Sequence, residues 1–182
     1  MKRTARIITI LSITGTLLSV ACTETRKKAA NNILKEEISK TEMESTDFSE
    51  SELLLLIEGY LAIKNALVET NAKAASFAAE NLRYELKESK NTVLAKFLKE
   101  LHQIEEVEEV ENQRTVFENL SKHIYLLIKT KQLNNMELYY QYCPMAFDDK
   151  GAYWISEEEA VFNPYFGDKM LRCGKVVETL IP

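Results

Sequence analysis

The sequence is poor in the residues that interrupt regular structure, with 5 Gly, 3 Pro and 3 Cys among 182 residues. So little Gly and Pro excludes collagen-like and mucin-like chains, and three cysteines are too few for a disulfide-dense scaffold. Basic clusters are missing beyond the N-terminal tail, and the formal charge is −5, which argues against nucleic-acid binding. The 46% hydrophobic content is enough to form a core, which argues against a disordered chain.

The few breakers are unevenly placed. Six of the eight Gly and Pro residues lie at or after Pro144, and two of the three cysteines are Cys143 and Cys173. This distribution predicts a long helical body followed by a short region that contains turns. Any chemistry is expected in that short region.

Residues 1–21 have the pattern of a bacterial lipoprotein signal peptide. A basic start precedes about 14 apolar residues, a stretch too short to anchor a chain across a bilayer. Ala21-Cys22 ends this stretch and resembles a lipobox, although Ser19 stands where Leu is usual. We expect a lipid on Cys22, which becomes the first mature residue. The alternatives are plain secretion with a free Cys22 and a short buried helix.

The expected lipid predicts the location of the protein and the organisation of the chain. The predicted location is the bacterial cell envelope, facing the periplasm, with the outer membrane favoured over the inner. Removal of residues 1–21 takes away three basic residues and no acids, so the mature charge is −8 and the lipid must hold the protein at the membrane. Residues 22–48 are polar and predict a flexible tether. Residues 49–182 predict one domain.

Apolar periodicity predicts four helices between about residues 49 and 132. Ser49 and Glu52 form a capping box before the first, and Asn71 can cap the second. Gly59 lies in the first helix and predicts close approach by the second, which is rich in small residues. Apolar positions from Val107 to Ile128 form a seam in the fourth. Short connections favour an antiparallel four-helix bundle, so the fold class is mainly α.

For the polar residues of the helical body, we prefer structural roles to ligand-binding roles. Arg114 and Ser121 on the seam predict a satisfied polar layer, with Glu111 bonded to Arg114, and a ligand site is the alternative. The acidic run from Glu105 to Glu111 predicts a solvated helix face. His102 and His123 are expected at the surface or bundle edge, with metal ligation as the alternative.

The C-terminal region, about residues 135–182, predicts a small β-containing cap. Aromatic residues before Cys143 and after Gly151 predict a hairpin, and Lys175 to Ile181 predicts a last strand. Ser156 followed by three glutamates predicts the start of a helix.

Two sulfur pairs carry the candidate chemistry: Cys143-x-Met145 and Met170-x-x-Cys173. Thiolate and thioether ligands select soft ions, with Cu(I) the leading candidate. Zinc is less apt, because thioethers are poor zinc ligands and paired Cys-x-x-Cys spacing is missing. The hypothesis is one metal site built from both pairs, with His123 as an additional ligand.

A disulfide is the competing interpretation of the same cysteines. With Cys22 lipidated, Cys143 and Cys173 are the two remaining thiols in an oxidising compartment. Their bond would close a loop of about 30 residues and contribute roughly 3–4 kcal/mol. Met145 and Met170 would then fill gaps in the core. Free structural thiols are a third possibility.

Several segments resemble a domain-of-unknown-function family from the Bacteroidota. The resemblance covers about residues 50–180, and the segments that carry it are Gly59–Leu67, Arg114–Ser121, Tyr142–Ala146, Gly151–Ser156 and Asn163–Gly174. Members occur as lone lipoproteins and as the last domain of periplasmic adaptors of heavy-metal efflux pumps. The resemblance therefore implies copper or silver handling and an efflux or metal-trafficking partner. Many family members carry His before Cys-Pro-Met, where this chain has Tyr142 and thus lacks that ligand.

The leading hypothesis is a lipid-anchored periplasmic protein that binds or passes soft metal ions. The alternative is a non-catalytic interaction module of the cell envelope, stapled by a Cys143–Cys173 disulfide. An enzyme is not expected, because the sequence has no nucleophile elbow, phosphate loop or His-Glu-x-x-His motif.

Overall fold

Four long helices open the fold in the computed structural model, which describes residues 48–89, 91–131 and 136–180. They are α1 (Glu50–Val68), α2 (Ala72–Leu86), α3 (Leu94–Glu106) and α4 (Val110–Lys131). Each helix packs on the next along the chain, and α1 also contacts α4. Within these ranges, no helix has the length and apolar character needed to cross a membrane.

The predicted signal peptide and most of the predicted tether lie outside the described residues. Phe48 is the first described residue, and its ring lies edge-on to Phe97 of α3, with 6.4 Å between centroids. The predicted capping box follows at once. Ser49 Oγ accepts the Glu52 N–H at 3.2 Å, and Glu52 Oε2 accepts the Ser49 N–H at 2.9 Å. The start of α1 is therefore fixed by local hydrogen bonds.

Gly59 permits close packing of α1 on α2, as predicted. A Cβ atom at this position would lie 2.6 Å from Leu82 Cδ2 of α2. Such a contact is shorter than real Cβ atoms show, so a larger residue here would require Leu82 to move. Asn71 is confirmed as the cap of α2, because its Oδ1 accepts the Ala74 N–H at 3.0 Å.

The predicted fourth helix is wrong at its start. Val107 has extended backbone (φ −94°, ψ 122°), and α4 begins only at Val110. The acidic run from Glu105 to Glu111 thus crosses a break between α3 and α4 and is not one helix face. Like charges three and four residues apart disfavour a continuous helix through this run.

A three-stranded antiparallel sheet forms the C-terminal region, as predicted. The strands are β1 (Leu138–Cys143), β2 (Ala152–Ser156) and β3 (Lys175–Leu180), in the order β2-β1-β3. The helix predicted after Ser156 is absent from the described residues. Ser156 Oγ accepts the Glu158 N–H at 3.0 Å, but the chain continues as an irregular loop. The mainly helical fold with a small β region is confirmed.

Buried polar side chains join the helices to the sheet. Tyr60 OH accepts the backbone N–H of Ile155 at 3.0 Å and lies 2.8 Å from Ser121 Oγ. Lys64 Nζ is fully buried and lies 3.1 Å from Glu157 Oε2. Because these contacts join α1 and α4 to β2 and the loop after it, the sheet has a fixed position on the helices.

Candidate functional site

The fold brings the two cysteines together at one end of the sheet. Cys143 is the last residue of β1, and Cys173 lies two residues before β3. These strands are antiparallel neighbours, and Tyr142 pairs with Lys175. Residues just beyond that pair therefore face each other, which places Cys143 near Cys173 despite 30 residues of separation.

The two thiols are in direct contact. Their Sγ atoms lie 2.8 Å apart, and both cysteines are free. Cys143 is fully buried, whereas Cys173 is partly exposed. Burial and the neighbouring Cys143 thiol raise the pKa of Cys173 to about 11, although the Met145 backbone N–H acts in the opposite direction. Cys173 is therefore a protonated thiol at neutral pH.

Glycine and asparagine shape the loop that carries Cys173. Gly174 has φ +145°, and a Cβ atom there would lie 2.9 Å from Trp154 Cη2. Asn163 is fully buried, and its Nδ2 donates to the Cys173 carbonyl at 2.7 Å. Asn163 is a positioning residue that the sequence analysis missed. Its signal was the Asn-Pro dipeptide, which marks a fixed turn without revealing its distant partner.

The two methionines predicted as ligands contact Cys173 through their backbone groups. The Met170 carbonyl accepts the Cys173 N–H at 3.0 Å. Met145 has 46% of its surface exposed, and its own N–H faces the Cys173 thiol. Both methionines are thus within two or three residues of a cysteine and adjoin the dithiol through their main chains.

His123 lies on α4 in a different environment. Its Nδ1 is 2.8 Å from Glu100 Oε1 of α3, and its ring is edge-on to Phe97. Across the described ranges, no third His, Cys, Asp or Glu ligand joins the two thiols within 4.8 Å. The structure therefore brings Cys143 and Cys173 together and places His123 at the α3–α4 interface.

A second group of metal-ligating side chains lies at the end of α3. Ligand atoms of His102, Glu105 and Glu106 lie within 4.8 Å of one another. Glu105, however, forms two bonds with Arg83, from Nε at 2.6 Å and from Nη2 at 3.0 Å. The Arg83 hydrogen bonds lower the pKa of Glu105. This carboxylate already has a cationic partner, so the group is weaker as a metal site than the dithiol.

Arg114 is confirmed as part of a satisfied polar layer. Its guanidinium is buried and donates to Pro164 O at 2.7 Å, Leu67 O at 3.1 Å and Glu111 Oε1 at 2.9 Å. The bond to Glu111 is the predicted i, i+3 contact. These partners lie on three different segments, and together they use N–H groups on all three guanidinium nitrogens.

Tyr142, which precedes Cys143 in β1, belongs to a row of tyrosines. Its ring centroid is 4.4 Å from that of Tyr153, which stacks on Tyr140, and Tyr140 in turn stacks on Tyr125. Consecutive strand residues face opposite sides of a sheet, so Tyr142 and Cys143 project to different sides. Burial raises the pKa of Tyr125 to about 12, and a hydrogen bond to Glu178 adds to this rise.

Part of the chain matches a family model. Residues 56–136 match the model of a family described as "Protein of unknown function (DUF3347)". The matched segment begins in α1 and ends before β1, so the match lies on the helices and stops short of both cysteines. No curated protein and no solved structure matches the chain.

Proposed function

We propose that the protein is a lipid-anchored component of the bacterial cell envelope whose Cys143–Cys173 dithiol binds a soft metal ion, with Cu(I) as the cargo. The contact between the two thiols, 2.8 Å apart at the end of β1, carries this proposal. Two sulfur donors held side by side match the preference of Cu(I) for soft ligands. The thioethers of Met145 and Met170 are the candidate additional ligands. His123, which bonds to Glu100, is proposed to contribute little.

Metal binding would require a small rearrangement and the loss of two protons. Two sulfurs that share one metal ion lie about 4 Å apart, because each metal–sulfur bond is about 2.3 Å long. The sulfurs must therefore separate from their 2.8 Å contact. Because the pKa of Cys173 is raised to about 11, Cu(I) affinity is expected to fall as the pH is lowered.

We also propose a cellular location, a role in efflux and a helix arrangement for the protein. A lipid on Cys22 would anchor the protein to the outer membrane, and residues 22–48 would tether the domain in the periplasm. The resemblance to domains of metal-efflux adaptors supports an accessory role in heavy-metal efflux. We further propose that α1 to α4 form an antiparallel bundle, since each helix packs on the next and α1 contacts α4. No catalytic role is proposed.

A competition titration tests the metal proposal. Reduced protein carrying Cys22→Ser is titrated with Cu(I) in the presence of a chromogenic Cu(I) chelator. We expect the wild-type site to take Cu(I) from the chelator and the Cys143→Ser/Cys173→Ser variant to fail. Met145→Leu and Met170→Leu should weaken binding by smaller factors, and His123→Gln serves as the matched control. Equal affinity in the wild type and the double serine variant would refute the proposal.

The second candidate is an interaction module stapled by a Cys143–Cys173 disulfide. The 2.8 Å separation favours it, because only about 0.8 Å of closure separates this contact from a disulfide bond. Mass spectrometry of protein isolated from the periplasm without reductant discriminates between the two candidates. A complete disulfide that resists reduction favours the module, whereas free thiols or bound copper favour metal binding.

A further inference from the structure

The two cysteines differ in their access to solvent. Cys143 is fully buried, and Cys173 is partly exposed although it lies only 2.8 Å away. Cys173 is therefore the member of the pair that has surface exposed to solvent, which favours it as the residue that an external reagent meets first. In thiol–disulfide exchange a thiolate attacks a sulfur of the disulfide, and access is one of the factors that decide which thiol reacts.

We propose that Cys173 is the thiol at which an external disulfide reacts, and that Cys143 resolves the mixed disulfide. The substrate class is a small or exposed disulfide, for which glutathione disulfide is the probe. This inference rests on the reduced dithiol of the proposed function and adds its route of oxidation. Exposure, and not acidity, selects Cys173.

The exchange has two balanced steps. Cys173 loses its proton, and its sulfur attacks one sulfur of glutathione disulfide, which forms a mixed disulfide and releases one glutathione thiolate. Cys143 then loses its proton, and its sulfur attacks Cys173 Sγ, which forms the Cys143–Cys173 bond and releases the second glutathione thiolate. Both released thiolates take up the protons. Two protein thiols are oxidised, and one disulfide is reduced to two thiols.

The local structure favours the second step. The resolving sulfur is already in contact with Cys173, so a mixed disulfide has an attacking group beside it. Asn163 holds the Cys173 carbonyl at 2.7 Å, and the Met170 carbonyl accepts the Cys173 N–H at 3.0 Å. These bonds keep the Cys173 backbone in place while its side chain reacts. A mixed disulfide on Cys173 is therefore expected to be short-lived in the wild type.

Single serine variants test the order of attack. In protein carrying Cys22→Ser, glutathione disulfide is added, and bound glutathione is followed by intact-mass spectrometry. Cys143→Ser should keep one glutathione on Cys173. Cys173→Ser should react at least about tenfold more slowly, because a buried thiol reacts only through local opening. The wild type should lose two hydrogens and retain no glutathione.

Controls separate this inference from folding and from metal binding. In denaturant both serine variants should react at equal rates, and Cys143→Ala repeats the measurement if the serine variant unfolds. Equal rates for the two folded variants, or no adduct on Cys143→Ser, would overturn the order proposed here. The Cu(I) titration is independent of this outcome, so failure of metal binding and failure of the exchange order are distinguishable.

Discussion

The helical body and the sheet region use their backbones differently. Among the described residues, seven positive-φ positions occur, and six of them lie between Phe147 and Gly174, with Thr70 alone in the helical body. The helices obtain their shape from periodic apolar residues and end caps. The sheet region, in contrast, needs tight turns to bring distant residues into contact. The scarce Gly and Pro residues are concentrated where those turns place Cys143 beside Cys173.

Removal of the Arg114 side chain should lower the free energy of unfolding most strongly, because this side chain joins the helical body to the sheet region. Arg114→Met leaves the buried carbonyls of Leu67 and Pro164 without their donor, and we expect a loss of about 3 kcal/mol in the free energy of unfolding. Urea denaturation measures the change. Arg172→Met is the matched control, since Arg172 is exposed and should cost less than about 1 kcal/mol. A similar loss for both variants would contradict a bridging role for Arg114.

The Lys64–Glu157 pair should show a smaller effect. Glu157→Gln removes the carboxylate from a fully buried ammonium group, and a loss of about 1–2 kcal/mol is expected because Glu157 itself is partly exposed. Glu158→Gln, at the exposed neighbouring position, should be nearly neutral. If the two variants have equal stability, the ion pair does not join the regions.

Acid should weaken the same contact. Burial raises the pKa of Glu157, but hydrogen bonds from its backbone and Asn65, together with Lys64, outweigh burial and lower it below the ordinary value of 4.5. A lowered folded-state pKa gives stability that is present above 4.5 and lost as the pH falls through the folded value. The difference in stability between wild type and Glu157→Gln should therefore shrink below pH 4.5. A constant difference across this range would refute the assignment.

Within the helical body, Gly59→Ala tests close packing. The added methyl would lie 2.6 Å from Leu82 Cδ2, so a loss of about 1 kcal/mol is expected even though alanine favours helices. Leu82→Ala should remove the clash, and the double variant should therefore be more stable than the sum of the two single losses predicts. Additive losses would show that α2 does not approach Gly59.

The smallest effect is expected at the partly exposed link between α4 and β3. Glu178 accepts from Lys129 Nζ at 2.7 Å and from Tyr125 OH at 2.7 Å, and these bonds lower its pKa. Glu178→Gln should cost about 0.5 kcal/mol at low salt and less at high salt. Thermal unfolding at two ionic strengths checks this prediction, and a salt-independent loss would argue against an electrostatic contribution.

The elements that depend on neighbouring residues could be predicted from the sequence. The Ser49 capping box, the Asn71 cap and the hairpin of β1 and β2 follow from local preferences that the tertiary structure keeps. The prediction of a helix after Ser156 was wrong because the structure there depends on a residue that is distant in sequence. Ser156 begins as a local cap, but its hydroxyl also lies 3.4 Å from Lys64 Nζ of α1, a partner 92 residues away. Such a contact leaves no local pattern.

The candidate site was predictable in part. Soft ligand chemistry singled out Cys143 and Cys173, and the strand pairing that joins them agrees with that choice. The positioning role of Asn163 and the Glu100 partner of His123 depend on packing between segments distant in sequence. Residue type alone identifies a donor, and only the fold shows which donors meet.

X-ray absorption spectroscopy at the copper edge tests the central claim most directly. This claim is that the thiol pair of the sheet region is a soft-metal site. In reduced protein carrying Cys22→Ser and loaded with one Cu(I), the account predicts a first shell that contains sulfur. Cys173→Ser should lose sulfur from that shell, whereas Arg172→Met should leave the shell unchanged. A shell of nitrogen and oxygen alone, or a sulfur shell unaffected by Cys173→Ser, would contradict the account.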